Sequence, residues 1–521
     1  MANWTRRQVL SGSASLAGLA MGNVLSFGTV RAADRPDLPI PVELRADSKG
    51  VIRLRAQRGE VVFRPGVKTP TFGVNGPYLG PAVRVRRGDT VVMDVTNALD
   101  QDITMHWHGL EIPGDVDGGP YSLIRPGSSW KAQLAIDQPA ATCWFHPHVY
   151  PTTAELVVKG LAGLFLIDDE EADALPLPKR WGVDDIPVVL QDRRFNTDGT
   201  IFHRFNLPAV TTGYVGDTVL VNGARYPQAR TARGWLRLRL LNGSNARTFR
   251  LALSDNRPMF VVGSDGGLLA NPVELEELVL YAGERYEVLV DGRDGTAFDL
   301  VTRPVDQMAM KLPPFDRDLP LLTLRPDGAE GSGTLPDTLV TLPPLVADLP
   351  PVSQQLVMGM RLDDKGMAQF RSAGLMDMDK SGHMDPAVVE KVVKLIVGEP
   401  ALPIAERLGA NDVNGAPFEL GVVPIHADIN RDLRWLISEG DDRMYHPVHI
   451  HGCQFRILKL DGKAPPEHMA GWKDMAPVLD GGSCEIQVRF RHPATKEFPF
   501  MAHCHNLEHE DSGMMTDFTV S

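Results

Sequence analysis

The sequence predicts an all-β protein built from three related Greek-key β-sandwiches. Short runs alternate apolar with polar residues and stop at turn residues, the mark of half-buried strands. Glycine and proline number 49 and 41 in 521 residues, as expected where many strands meet in tight turns. One succession of strands also recurs three times along the chain, which makes three repeated sandwiches the economical reading.

In the first unit, Val83-Arg84-Val85 and Gly88–Val95 alternate and stop at Asn97; in the second, Trp235–Leu240 stops at Asn242-Gly243; in the third, Leu433–Ile437 stops before Glu439-Gly440. Each run is followed by a second stretch: His106–Gly109, Ala246–Leu253 or His446–Phe455. A Gly-led turn then opens another strand: Trp130–Ile136, Tyr286–Val290 or Cys484–Phe490. Units close on apolar strands such as Leu164–Ile167 and Met515–Val520. Acidic or Pro-rich segments, Asp168–Lys179 and Arg325–Pro351, mark the boundaries, so the expected units are 34–170, 171–335 and 336–521.

Ahead of them, Thr5-Arg6-Arg7-Gln8-Val9-Leu10 resembles a twin-arginine motif and leads into a weakly apolar Gly/Ala/Ser-rich run. Residues 1–33 are therefore expected to be a signal peptide for the twin-arginine export machinery. Glycines and serines interrupt the run, and no later stretch is long and apolar enough to span a bilayer. A soluble, periplasmic monomer is expected. The formal net charge of −13 argues against a nucleic-acid partner, which needs a basic footprint. Four cysteines make no disulfide framework in a chain this long. Cys143, Cys453 and Cys484 are expected to be buried thiols, with a Cys453–Cys484 bridge as the alternative.

Chemistry concentrates in four stretches. Cys504, His509 and Met514 stand in that order with four residues between neighbours. A thiolate, imidazoles and a weakly held thioether are the donors of an electron-transferring type 1 copper, and His446 is the candidate second imidazole. His503 and His505 flank Cys504 and, on a strand, point to the opposite face, where they are placed to hold a different centre. His106-Trp107-His108, His146-Pro147-His148 and His446-Pro447-Val448-His449-Ile450-His451 supply the remaining imidazoles, so the four stretches hold ten of the fifteen histidines. The middle unit has Asn242–Arg247 where the others have histidines, and reads as a spacer.

At these residues the chain resembles the multicopper oxidases, and among them the CueO-type copper efflux oxidases, over nearly the whole of the expected mature chain. The resemblance implies three cupredoxin domains and four copper ions. It assigns His446, Cys504, His509 and Met514 to the type 1 ion and His106 and His449 to a type 2 ion. His108, His146 and His505 would hold one type 3 ion, and His148, His451 and His503 the other. Asn506 departs from the family pattern, which usually has an apolar residue there; this touches the surroundings of the type 1 ion and no ligand. Asp117 and Glu510 match family positions implicated in delivering protons to oxygen as it is reduced. The implied reaction couples four one-electron oxidations to reduction of O2 to two waters.

The substrate signal lies in 356–385, where Met358, Met360, Met367, Met376, Met378 and Met384 cluster with aspartates. Thioethers select Cu(I), and a short, partly helical Met-rich insertion is expected here. By resemblance, Met358, Asp363, Asp442 and Met444 would hold a labile substrate Cu(I). The alternative is a laccase acting mainly on phenols or siderophores. A copper-storing protein would leave the intact histidine set unexplained. A copper-free relative of the kind known in bacterial cell division would lack the ligands that all stand here.

Overall fold

The computed structural model describes residues 35–377, 383–440 and 444–521. The expected leader, Met378 and Asp442 lie outside the described residues. The architecture is all-β, with six sheets among the described residues arranged as three pairs, and the repeat is visible in the strand pairing. In one sheet of each pair, a strand runs parallel to the alternating strand, which in turn runs antiparallel to the strand after the Gly-led turn. The three instances are Val51–Arg64, Thr90–Asn97 and Ser129–Ala135; Asp185–Arg193, Trp235–Asn242 and Arg285–Asp291; Gln354–Met360, Leu433–Glu439 and Ser483–Val488.

The facing sheets repeat as well. Gly163–Asp168, Ala141–His146 and His106–His108 run antiparallel in sequence, and so do Met515–Val520, Phe500–Cys504 and His446–Ile450. The middle counterpart is Leu319–Arg325, Phe298–Arg303 and Phe249–Leu253. Strand neighbours that are not consecutive in sequence are what Greek-key connections produce. Ala82–Arg86 and Thr90–Asn97 belong to different sheets, with the turn at Gly88 carrying the chain across.

Three apolar cores fill the sandwiches. One runs from Ile52 to Ile167, one is centred on Leu236, Leu238, Val288 and Leu322, and one runs from Leu356 to Val520. Leu38 packs in the second of these, and Asp37 bridges Gln228, so the start of the 34–170 segment crosses to the middle unit. Cys143, Cys453 and Cys484 are buried free thiols. No helix among the described residues is long and apolar enough to cross a membrane.

The Met-rich segment is partly helical, as expected, but the helical insertion runs past residue 385. Asp363–Ala373 is followed by Pro386–Gly398 and Ile404–Leu408. The second helix starts where Asp385 accepts from the Ala387 N–H and Pro386 takes the first turn, a favoured helix opening. Its Val392 and Ile396, one turn apart, pack with Phe370 and Leu375 against Val215, Met310 and Leu312 of the middle unit. The insertion is therefore docked onto the middle unit.

Candidate metal centre

Alternation along two strands builds two donor groups back to back. His446–Ile450 and Phe500–Cys504 run antiparallel, placing Val448 opposite Cys504 and His449 opposite His503. Cys504 faces the core of the third unit, so His503 and His505 emerge on the other side.

On the core side, Cys504 Sγ lies 3.4 Å from His446 Nδ1 and 3.7 Å from His509 Nδ1, and all three residues are buried. Donors about 2.1 Å (nitrogen) and 2.3 Å (sulfur) from a shared ion, at near-tetrahedral angles, would stand roughly 3.6 Å apart. The observed spacing fits one ion between them. Asn506 N–H donates to Sγ (3.4 Å), and its side-chain amide donates to Tyr445 O (3.0 Å), bracing the loop against the strand that carries His446. Met514, fully buried, is tied in by backbone: Cys504 N–H donates to Met514 O (3.1 Å), and Met514 N–H to His509 O (2.9 Å).

On the other side, eight imidazoles converge. His106, His108 and His449 form one group, His108, His146 and His505 a second, and His148, His451 and His503 a third, each with donor atoms within 4.8 Å of one another. Nε2 of His106 faces Nε2 of His449 at 3.4 Å, and Nε2 of His503 lies 3.2 Å from those of both His148 and His451. His108 is turned the other way, with Nδ1 3.4 Å from His146 Nε2.

The outward nitrogens meet acceptors. Three buried carboxyl residues each touch one histidine of the first unit and one of the third. Asp117 lies beside His106 Nδ1 (3.0 Å from its carbonyl, 3.3 Å from Oδ2) and His451 Nδ1 (2.8 Å from Oδ2). Asp474 takes His108 Nε2 on Oδ1 (3.1 Å) and His449 Nδ1 on its carbonyl (3.0 Å). Glu510 stands 3.4 Å from His148 Nδ1 and 3.1 Å from His503 Nδ1. An acceptor at the outer nitrogen fixes the proton there and leaves the inner nitrogen bare for a metal.

Burial, reinforced by the neighbouring imidazoles, pushes His108, His146, His148, His449, His451 and His505 well below the ordinary histidine range. They are neutral, the form that binds a metal. Neither ring nitrogen of His505 has a hydrogen-bond partner among the described residues. Buried polar atoms without partners are costly, and a cation bound at one of these nitrogens would offset part of that cost. Imidazoles with one thiolate suit copper, so the donor set fits.

Every copper-ligand candidate read from the sequence falls in one of these two groups or, for Met514, in the adjoining backbone. Asp117 and Glu510 both lie against the histidines. Asp474 was missed as a site residue: Lys473-Asp474 has no spacing signal, and its contacts arise only once the units assemble. The substrate set is spread. Asp363 lines a cavity of about 570 Å³ with Asp364, Met367, Met376, Met384 and Tyr445. Met444 is buried beside this lining in sequence, and Met358 lies within the third core. The middle unit is more than a spacer, since Asn245 and Tyr214 N–H both donate to Glu508, next to His509 (both 2.8 Å).

Comparison with known proteins agrees with this geometry. Three multicopper oxidase family models match residues 55–172, 202–325 and 394–521. The chain is 34% identical to the cell division protein FtsP of Xenorhabdus nematophila over 521 residues, covering 99% of this chain and 98% of that protein. It is also 34% identical to the multicopper oxidase mco of Staphylococcus aureus over 475 residues, 90% of this chain and 88% of that one. Among solved structures, the laccase-like multi-copper oxidase CueO of Ochrobactrum sp. superposes with a TM-score of 0.79 at 38% identity, covering 93% of this chain and all of that one. With these matches over a cupredoxin-like, all-β frame, the chain belongs to the multicopper oxidase family.

Proposed function

We propose that this chain is an exported cuprous oxidase of four copper ions: one type 1 at His446, Cys504, His509 and Met514, and a trinuclear set of one type 2 and two type 3 ions at the eight converging histidines. The single observation that carries the reading is the placement of Cys504. Its sulfur sits in one donor group while its sequence neighbours, His503 and His505, sit in the other. Bound copper would supply one-electron acceptance at the first group and reduction of O2 to water at the second.

The chain's own residues do the rest. The Cys504 backbone is the shortest covalent path between the groups. Asp117 and Glu510 stand beside the histidines, placed to pass protons inward, and Asp117 Oδ1 keeps a free acceptor position among the described residues. The cavity of Asp363, Asp364, Met367, Met376 and Met384 supplies soft thioethers for incoming Cu(I) and carboxylates for the Cu(II) product. Tyr445, which precedes His446, lines that cavity and shortens the route to the sulfur-bearing group. Four Cu(I) would become four Cu(II) as one O2 takes four electrons and four protons. The role that follows is copper detoxification in the periplasm after twin-arginine export, as a monomer.

The second reading is a laccase acting mainly on phenols. It is favoured by the Ochrobactrum relative, described as having oxidase activity towards lignin model compounds and lignosulfonate. Oxygen uptake with Cu(I) and with a phenol, each with and without added Cu(II), separates the two. Rapid uptake with Cu(I), and phenol turnover stimulated by Cu(II), is the expected result. Phenol turnover indifferent to copper, with slow Cu(I) oxidation, would favour the laccase.

A further inference from the structure

The middle unit holds no copper-ligand candidate, yet it sends one fully buried arginine to the edge of the histidine group. Arg285 donates through Nη1 and Nη2 to the two carboxylate oxygens of Asp474 (2.6 and 2.5 Å). Its Nε donates to Thr142 O of the first unit (3.0 Å), and Nη2 also reaches Asp265 O (3.0 Å). Gln454 donates to Asp474 Oδ2 (3.0 Å) and to Gly109 O (2.9 Å). Both carboxylate oxygens are thus engaged, and Oδ1 also meets His108 Nε2.

Behind the pair lies a second layer. Lys473 Nζ sits 2.8 Å from Asp265 and 2.9 Å from Glu284, and Asp265 accepts the Arg285 backbone N–H (2.8 Å). Burial alone would lower the Arg285 guanidinium, yet the Asp474 and Asp265 carboxylates raise it, so it stays charged. Arg285, Asp474, Lys473, Asp265 and Glu284 are all fully buried, and a charge in such a place carries a desolvation penalty of several kcal/mol. Gly109 permits the approach: at φ +95°, a Cβ there would lie 2.6 Å from Arg285 Nη2 and 2.9 Å from Asp474 Oδ2.

We propose that Asp474, clamped by Arg285 of the middle unit, is the positioning residue that turns His108 so that Nδ1 faces the metal site, and that holds His449 against it. The inference rests on the proposed function. The His108 and His449 rings come from different units and stack with centroids 3.7 Å apart and planes 13° apart. Among the described residues, Asp474 is the one bonded to both, by side chain to one and by carbonyl to the other. Asp117 differs in keeping an unengaged oxygen, as a proton carrier requires. The saturated Asp474 anchors instead.

The test uses the full-length, copper-loaded chain. In Asp474→Ala, copper held by the eight histidines should be withdrawn by a competing chelator at a concentration roughly 10–100-fold lower than in wild type, the usual cost of losing such an outer partner. The blue colour of the Cys504 site should resist the chelator as in wild type. Asp474→Asn keeps the shape and an acceptor for His108, so it should fall between the two. Arg285→Lys, which loses the two-point fork, should weaken retention in the same direction. A merely structural role would loosen both copper sites together, in step with thermal stability. That outcome, or wild-type retention in the folded variants, overturns the proposal. Should the variants fail to fold, the crystal structure of the wild-type holoenzyme decides: His108 bound through Nε2, away from Asp474, overturns it too. A wild-type chain that takes up no copper would defeat the proposed function itself, a result distinct from any of these.

Discussion

Gly283 gives the most direct probe of how tightly the middle unit is fitted to the histidine group. Its φ is +85°, and an added Cβ would lie 2.9 Å from Cδ2 and Cγ of His505 and 3.1 Å from Nδ1. Ordinary contacts begin at 3.4 Å, so the ring must retreat by roughly half an ångström or more. It has little room, with Trp144, His146 and His108 ring centroids at 5.4, 5.3 and 5.1 Å. Left-handed backbone costs a non-glycine residue about 1–2 kcal/mol, and overpacking adds about 1–3 kcal/mol. Gly283→Ala should therefore lose about 2–5 kcal/mol. A catalytic group misplaced by about 1 Å can cost ~10²-fold in rate. Gly66→Ala is the control: φ is +75°, but nothing lies within 4 Å of the added Cβ, so it suffers backbone strain alone. Urea denaturation of the copper-free chains and oxygen uptake with a one-electron dye measure the two quantities. If Gly283→Ala matched Gly66→Ala in both, the reasoning about His505 would be refuted.

Cys504→Ser should lose the blue absorption and one copper per chain while the eight-histidine group stays loaded; a blue serine variant would overturn the assignment of the sulfur. Asp117→Asn and Glu510→Gln should keep full copper content but slow reoxidation by O2 about 10²–10⁴-fold, the usual range for a lost proton carrier; wild-type single-turnover rates in both would exclude that role. Asp517 is raised to about 7 by burial, against the hydrogen bond donated by the Tyr121 hydroxyl. An unfolded aspartate titrates near ~3.9, so the folded chain holds this proton more tightly. Its contribution to stability is full below about pH 4 and is lost as pH rises to about 7, by up to ~4 kcal/mol. Asp517→Asn should flatten that slope in urea titrations at pH 5 and pH 8, and an unchanged slope would refute it.

The strands were legible because their signals are local. Trp235–Leu240 alternates and stops at Asn242-Gly243, and the structure has Trp235–Asn242 as a strand, but one buried on both faces rather than half-buried, because Arg237 and Arg239 pair with Glu287 and Asp185. The ligand residues were legible for the same reason: two-residue spacing puts His106 and His108 on one face of a short strand wherever that strand goes. What escaped was whatever depends on assembly. Asp474, Arg285 and Gln454 are ordinary polar residues until three units close around them. Asn245 reads as a turn residue until Glu508 arrives from a distant part of the chain. The helix Pro386–Gly398 was missed for another reason. Its opening at Asp385-Pro386 was readable, but methionines and aspartates just before it drew the reading towards metal binding.

On the proposed function, two donor groups bridged by Cys504 make this chain an oxygen-reducing copper enzyme. The most direct test is metal analysis of the purified full-length protein, combined with the ratio of one-electron donor oxidised to O2 consumed. Four coppers per chain, a blue protein and a ratio of four with no peroxide released are the expected results. A colourless protein that takes up no copper and consumes no oxygen would contradict the claim and favour a structural role.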